Sequence, residues 1–425
     1  MSLSEPEILD LLHREVKPAL GCTEPIAVAI AVARAAAEGG RVVEVNVAVS
    51  ANILKNAMGV GIPGTGQTGL PAAVGLAVVC GNWKYGLEVL KDVDEKAVRE
   101  ARRFVSEGRV NVSVSDSPKM LYAEAECIFE DGSRAKCIIE DAHDNISFVS
   151  RGDEVLLDRT TPANDAEMET SGDGLCVEDI YKFATTVSLD KLGLIREQIA
   201  MNTALSEEGL RGDYGLRVGK TIASSSSNEV FGDDISAVCM SLTAAASDAR
   251  MAGCPLPAMS NSGSGNQGIT VSMPVIAAAR ALGSSEDEVL RALALSNLIA
   301  IHIKSYLGRL SALCGCVVAS TGSACGIVML KGGGVDQIKS AIKNMIGSIT
   351  GMVCDGAKEG CAMKVASGVS CALQSAVLAL RGICVQPTDG IIDADVEKTV
   401  ANLGRIGSKG MKATDSMILD IMVCK

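Results

Sequence analysis

Four cysteines, Cys314, Cys316, Cys354 and Cys361, fall within a stretch of small residues, Leu310–Lys364. Thiolates are soft ligands, and their commonest shared partners are zinc and iron–sulfur clusters. The spacings are Cys-x-Cys, about forty residues, then Cys-x6-Cys. A zinc ribbon uses paired Cys-x2-Cys knuckles, and this is not that pattern. Iron–sulfur clusters take thiolates at more varied spacing, although no dense ferredoxin-type run is present. Spacing alone leaves two readings open, a cluster and a coincidence of buried thiols. If three thiolates held a cluster, one iron would stay open as a Lewis acid, which fits a lyase better than an electron carrier.

A fifth thiol, Cys22, stands in Ala19-Leu20-Gly21-Cys22-Thr23-Glu24-Pro25, just ahead of an Ala-rich helix. A helix N-terminus lowers a thiol pKa, so Cys22 reads as a reactive thiol or, failing that, an inert buried one. Cys80, Cys127, Cys137, Cys239 and Cys371 lie in apolar patterns and read as small core residues. Two loops could serve a ligand. Met58–Gly69 is rich in glycine and opens an apolar helix, with Pro71 in its first turn. It lacks the Gly-Lys-Ser/Thr of a nucleotide loop and the acidic residue of a dinucleotide fold. A carboxylate site at its backbone N–H groups (Gly64, Thr65, Gly66) and a purely structural turn are the two readings. Met259–Gly268 is a polar Ser/Asn/Gln loop inside apolar sequence. Ser260, Asn261, Ser262, Gly263, Asn266 and Gln267 could orient a carboxylate or an amine with neutral hydrogen bonds. His302, Lys304 and Arg309 precede Cys314 on one predicted helix, and Lys358 lies between Cys354 and Cys361. His302 is a candidate base or orienting group, and the lysines are candidate partners for a carboxylate. His143 reads as part of a surface turn and His13 as a plain helix residue.

The elements that must position these residues divide in two. Helices are expected over Pro6–Val16, Ile26–Glu38, Leu70–Val79 and Asp94–Glu107, with strands over Arg41–Val49, Val110–Ser115, Leu121–Phe129, Ala135–Glu140 and Asn145–Arg151. Thr160–Asp173 is polar and acidic and reads as a linker. From Val177 onward the pattern is almost wholly helical. The fold class expected is therefore an α+β N-terminal domain, residues 1–165, followed by a mostly α-helical C-terminal domain, residues 175–425.

Composition narrows the function. The net charge of −12 disfavours a nucleic-acid partner. The N-terminus lacks a basic, then apolar leader, and runs such as Ala72–Cys80 are too short to span a bilayer. Fifteen cysteines without an export signal point to reduced thiols in the cytoplasm.

Five stretches carry a resemblance: residues 17–25, 59–66, 259–268, 302–316 and 354–362. Together they resemble the L-cysteine desulfidase family, which is related to the α chain of the iron–sulfur L-serine dehydratases, and the likeness runs from about residue 5 to 425. The resemblance implies a pyridoxal-independent α,β-elimination of L-cysteine to pyruvate, ammonia and sulfide on a [4Fe–4S] cluster. It implies Cys316, Cys354 and Cys361 as ligands and Cys22 as a catalytic acid or base. The dehydratase pattern has a longer gap between its second and third ligands. Cys314 is either a substitute ligand or a neighbour of this set, and Cys424, penultimate where some dehydratases bring a terminal cysteine to the fourth iron, leaves that role open. The implied partner is a small amino-acid substrate, and a homodimer is the expected assembly. The alternatives are L-serine dehydratase, a non-catalytic iron or thiol sensor or store, and a pyridoxal enzyme using Lys304 or Lys358.

Overall fold

A computed structural model describes residues 3–161, 174–224, 231–308 and 311–424. The expected boundary near residue 165, most of the linker and Arg309 lie outside the described residues.

Val42–Val49 (β1), Val110–Val114 (β2), Tyr122–Phe129 (β3), Arg134–Glu140 (β4), Ile146–Arg151 (β5) and Glu154–Asp158 (β6) form one six-stranded sheet in the order β2-β1-β3-β4-β5-β6. The β1–β2 pair is parallel and the other pairs are antiparallel. The period-2 pattern of β3 buries Ala123, Ala125, Cys127 and Phe129 on one face. Thr23–Ala36 (α2) covers that face. The crossover from β1 to β2 carries Ala51–Ala57 (α3), Leu70–Cys80 (α4) and Glu95–Ser106 (α5). Strand β6 and helix α3 had no counterpart in the sequence reading.

The second core is helical. Glu5–Glu15 (α1), Val177–Thr186 (α6), Gly193–Arg211 (α7), Ile235–Met251 (α9), Gly265–Leu282 (α10), Glu286–Leu307 (α11), Gly315–Leu330 (α12), Val335–Ile349 (α13), Cys361–Leu380 (α14) and Val396–Arg405 (α15) build it, with the short Val218–Ser224 (α8) against α9. Helix α1 therefore packs with the C-terminal helices, through Ile8, Leu11, Leu12 and Val16, not with the sheet that follows it. Conversely Lys412–Val423 (α16), at the far end of the chain, packs on α3. Buried Lys55 pairs there with Asp415.

Helix α12 was invisible to propensity because glycine and β-branched residues fill it. Packing explains why they are there. A Cβ on Gly322 would lie 2.4 Å from the Ser296 carbonyl, and one on Gly326 would lie 2.7 Å from Val275. The glycines let α10, α11 and α12 pack closely. The expectation that every apolar run is too short to span a bilayer is corrected for α14. That helix is long and apolar enough by length and composition, but in the fold it packs among α9, α12 and α13.

Candidate active site

One cavity, of about 100 Å³, lies where the two cores meet. It is lined by Cys22, Thr23, Glu24 and Asn56 from the sheet-bearing part. The helical part contributes Arg250, Ser264, Asn266, Gln267, Cys314, Gly315, Cys316, Cys354, Gly356, Ala357, Cys361, Lys364 and Val365.

The thiols converge because their loops are stitched together. Leu313 and Val353 form an antiparallel bridge, with the Cys314 N–H donating to the Met352 carbonyl (3.0 Å) and the Cys354 N–H to the Ala312 carbonyl (2.7 Å). Cys314 sits at the N-cap of α12, with Cys316 in its first turn, and Cys361 opens α14. The structure thus places Cys314 at the same cavity as Cys316, Cys354 and Cys361. Burial pushes the Cys314 thiol well up, and neighbouring Cys316 and Cys354 add to that. Burial raises Cys316 to about 11 and raises Cys361 as well. Without a metal these thiols hold their protons.

Among the described residues no three His, Cys, Asp or Glu side chains converge as ligands of a single metal ion. A cluster spreads its thiolates over several irons, so it does not need them gathered on one point. The donor set fits such a group. Cys316 is buried and Cys314, Cys354 and Cys361 are half-buried around the one cavity, and cationic Lys364 lines it too. A bound metal deprotonates coordinating thiols outright. Lys364 and Lys358 both pair with Asp355, which holds Lys364 beside the thiols. Burial raises the Asp355 carboxyl, but the two lysines outweigh it and bring it to about 2.

Cys22 caps α2, yet its thiol is pushed well up, first by burial and then by Glu24. The expected dipole-lowered thiolate is corrected accordingly. Its Sγ donates to Glu24 Oε2 at 2.9 Å. Burial alone would raise Glu24. His143, the Cys22 thiol and Arg250 outweigh it and leave the carboxyl lowered. Asn56 Nδ2 donates to Glu24 Oε1 at 3.0 Å, and His143 Nε2 lies 4.0 Å from the same oxygen. His143 is buried, so the surface-turn reading is also corrected.

The two loops behave differently. Of the polar loop, Asn266 and Gln267 reach the cavity together with Ser264. Ser260, Asn261, Ser262 and Gly263 do not line it. Ser260 and Ser262 bind the carbonyls of Lys17 and Glu15, anchoring the chain segment that leads to Cys22. The glycine-rich loop is a hairpin between Gly61–Ile62 and Gln67–Thr68. Gly64, Thr65 and Gly66 do not line the cavity. The Gly64 N–H donates to the Gly253 carbonyl, and Thr65 Oγ1 donates to the Ile62 carbonyl. His302 is fully buried, 2.7 Å from Glu397 and edge-on to Tyr306, and neither it nor Lys304 lines the cavity.

Sequence reasoning missed Glu24, Asn56, Arg250 and Lys364 as lining residues. Glu24 had a signal, being a carboxylate in the first turn of a helix otherwise apolar until Arg34. Arg250, only 3% exposed, stands in the last turn of α9, two residues after Asp248.

Fold and site define a two-core protein whose shared cavity joins a cysteine quartet to a thiol–carboxylate pair, the equipment of a lyase. A family model for the serine dehydratase alpha chain matches residues 84–420, and the chain belongs to that family. It is 48% identical to a UPF0597 protein of Bacteroides fragilis over 99% of this chain and 98% of the relative. A UPF0597 protein of Oleidesulfovibrio alaskensis is also 48% identical, over 98% and 97%. One from Clostridium perfringens is 43% identical over 98% of each.

Proposed function

We propose that the protein is an L-cysteine desulfidase, eliminating sulfide from L-cysteine to leave pyruvate and ammonia. The observation that supports this best is the opening of the Cys22–Glu24 pair and the four thiols onto one buried cavity. Cys316, Cys354 and Cys361 would hold a [4Fe–4S] cluster, with Cys314 beside them. When bound, such a cluster supplies an open iron as a Lewis acid for the leaving sulfur or oxygen.

The rest of the chemistry belongs to the chain. Glu24, kept ionised, is the base in reach of the cavity and takes the Cα proton. Cys22, kept protonated, gives its proton to the departing group. The 2.9 Å hydrogen bond between them then returns the proton from the Glu24 carboxyl to the Cys22 thiolate. The C–S bond breaks as the Cα–Cβ double bond forms, and the released enamine hydrolyses in water. Burial holds the proton on the Cys22 sulfur, while His143, the Cys22 thiol and Arg250 outweigh burial at Glu24 and keep it ionised.

The family description favours a second reading, L-serine dehydratase, with the same proton circuit and hydroxide leaving. The ratio of kcat/KM for the two amino acids separates them, and the affinity of iron for sulfur predicts a ratio in favour of cysteine. The direct test is anaerobic purification, iron and sulfide analysis, then a pyruvate assay on both substrates. Iron without pyruvate from either would replace the lyase with a sensor or store. Cys22→Ser should keep iron content and lose turnover.

A further inference from the structure

Four buried amides run in a chain to the cavity wall. Gln198 and Asn297 exchange hydrogen bonds, Nε2 to Oδ1 at 3.2 Å and Nδ2 to Oε1 at 2.8 Å. Asn261 Nδ2 donates to Asn297 Oδ1 at 3.0 Å, and Gln267 Nε2 donates to Asn261 Oδ1 at 2.9 Å. Each amide is at most 1% exposed. An amide has one accepting end and one donating end, so each fixes the orientation of the next. The chain ends at Gln267 Oε1, an acceptor with no hydrogen-bond partner among the described residues. It faces the cysteine loop, 3.1 Å from where a Cβ on Gly315 would stand. A buried acceptor left empty is costly unless a ligand fills it.

A second observation adds the opposite charge. Arg250 lines the same cavity, and its Nε has no hydrogen-bond partner among the described residues. Its other nitrogens hold the Gly21 carbonyl (2.8 Å) and Asn266 Oδ1 (3.3 Å). The guanidinium lies against Gly265, where a Cβ would fall 2.1 Å from Nε. Gly265 also opens helix α10, whose N-terminus faces the cavity through Ser264, Asn266 and Gln267. A fixed cation and a helix N-terminus together favour a carboxylate.

We infer that this wall reads a zwitterion: Gln267 Oε1 takes the α-ammonium of an amino acid, and Arg250 with the α10 N-terminus takes its α-carboxylate. Asn261, Asn297 and Gln198 are positioning residues that keep the Gln267 carbonyl oxygen, not its NH2, turned to the ligand. The inference rests on the reading of this cavity as the substrate site. It implies that 2-hydroxy acids and amino-acid amides are excluded, whatever leaving group they carry.

Calorimetric binding to the full chain, purified anaerobically, tests this without turnover, because L-alanine has no leaving group. L-alanine should bind at least tenfold tighter than L-lactate, which lacks the ammonium, and than L-alaninamide, which lacks the carboxylate. Arg250→Gln should abolish the preference over the amide, and Gln267→Met the preference over lactate. Asn261→Leu, which removes the acceptor of Gln267 Nε2, should bring the alanine-to-lactate ratio near one. Equal binding of all three probes to the unmodified chain overturns the inference even if every variant misfolds. So does an Asn261→Leu protein that keeps the full preference. Absence of pyruvate from cysteine and serine with the preferences intact would remove the lyase reading and leave the zwitterion site standing.

Discussion

The loops 59–69 and 259–268 look alike in sequence, each glycine-rich and each leading into an apolar helix, yet they do different work. The second delivers Ser264, Asn266 and Gln267 to the cavity wall. The first supports that wall from behind. Its Pro63 lies against Gly21, where a Cβ would come within 2.6 Å of the ring. Its Gly61 lies against the Ala252–Gly253 backbone, just beyond Arg250. The difference lies in side chains. A glycine hairpin offers the neighbour a close backbone surface, whereas Ser, Asn and Gln carry donors and acceptors to a ligand. Backbone N–H groups of a tight loop are no anion site when they are already spent, as that of Gly64 is on Gly253.

Breaking the cavity side should have the largest effect. Glu24→Gln removes the base while its amide oxygen still accepts from Cys22, so kcat should fall by about 10²–10⁴ while iron content holds. Unchanged kcat in that variant would move the proton chemistry elsewhere. Next comes a matched glycine pair. Gly265→Ala pushes a methyl into Arg250 and should weaken substrate binding tenfold or more, read as KM. Gly66→Ala meets open space at φ +60°, so it should cost about 1 kcal/mol of stability and leave kcat/KM alone. Equal losses of activity in both would erase the distinction between the loops.

Asp248 sharpens the comparison from outside the cavity: it lies in the last turn of α9, two residues before Arg250, and accepts from the Gly219 N–H. Burial lifts its carboxyl from 3.8 to about 6, against the lowering by the Gly219 and Val218 N–H groups. The folded protein therefore keeps a proton that the unfolded chain releases above about pH 4. Stability should fall as pH rises through that window towards 6. Asp248→Asn should flatten that slope in urea melts, since the amide oxygen still accepts from Gly219. The smallest effect is expected at Thr65. Its hydroxyl donates to Ile62 and accepts from Gln67 within the hairpin. Thr65→Ala should cost about 1 kcal/mol in thermal unfolding and leave KM unchanged.

Much was legible without coordinates, since it depends on local pattern. The strand over Leu121–Phe129, the helix over Asp94–Glu107 and the polar character of 259–268 all belong to neighbours along the chain. The cysteines of the cavity were legible as a group, though the spacing could not say which belonged. Helix α12 was not legible, because its glycines lower propensity and only the packing of α10 and α11 repays them. The protonation states of Cys22 and Glu24 were not legible either. A thiol ahead of a helix reads as acidic by the dipole, but full burial and a carboxylate at 2.9 Å reverse that.

By itself the sequence determined the two-part pattern of elements and the family resemblance. The tertiary structure alone decided which polar groups share the cavity. Glu24 stands more than 200 residues before Arg250 and Gln267 in the chain, and it meets them where the 259–268 loop anchors the segment after α1. Local periodicity records which face of an element is buried, but not what it is buried against.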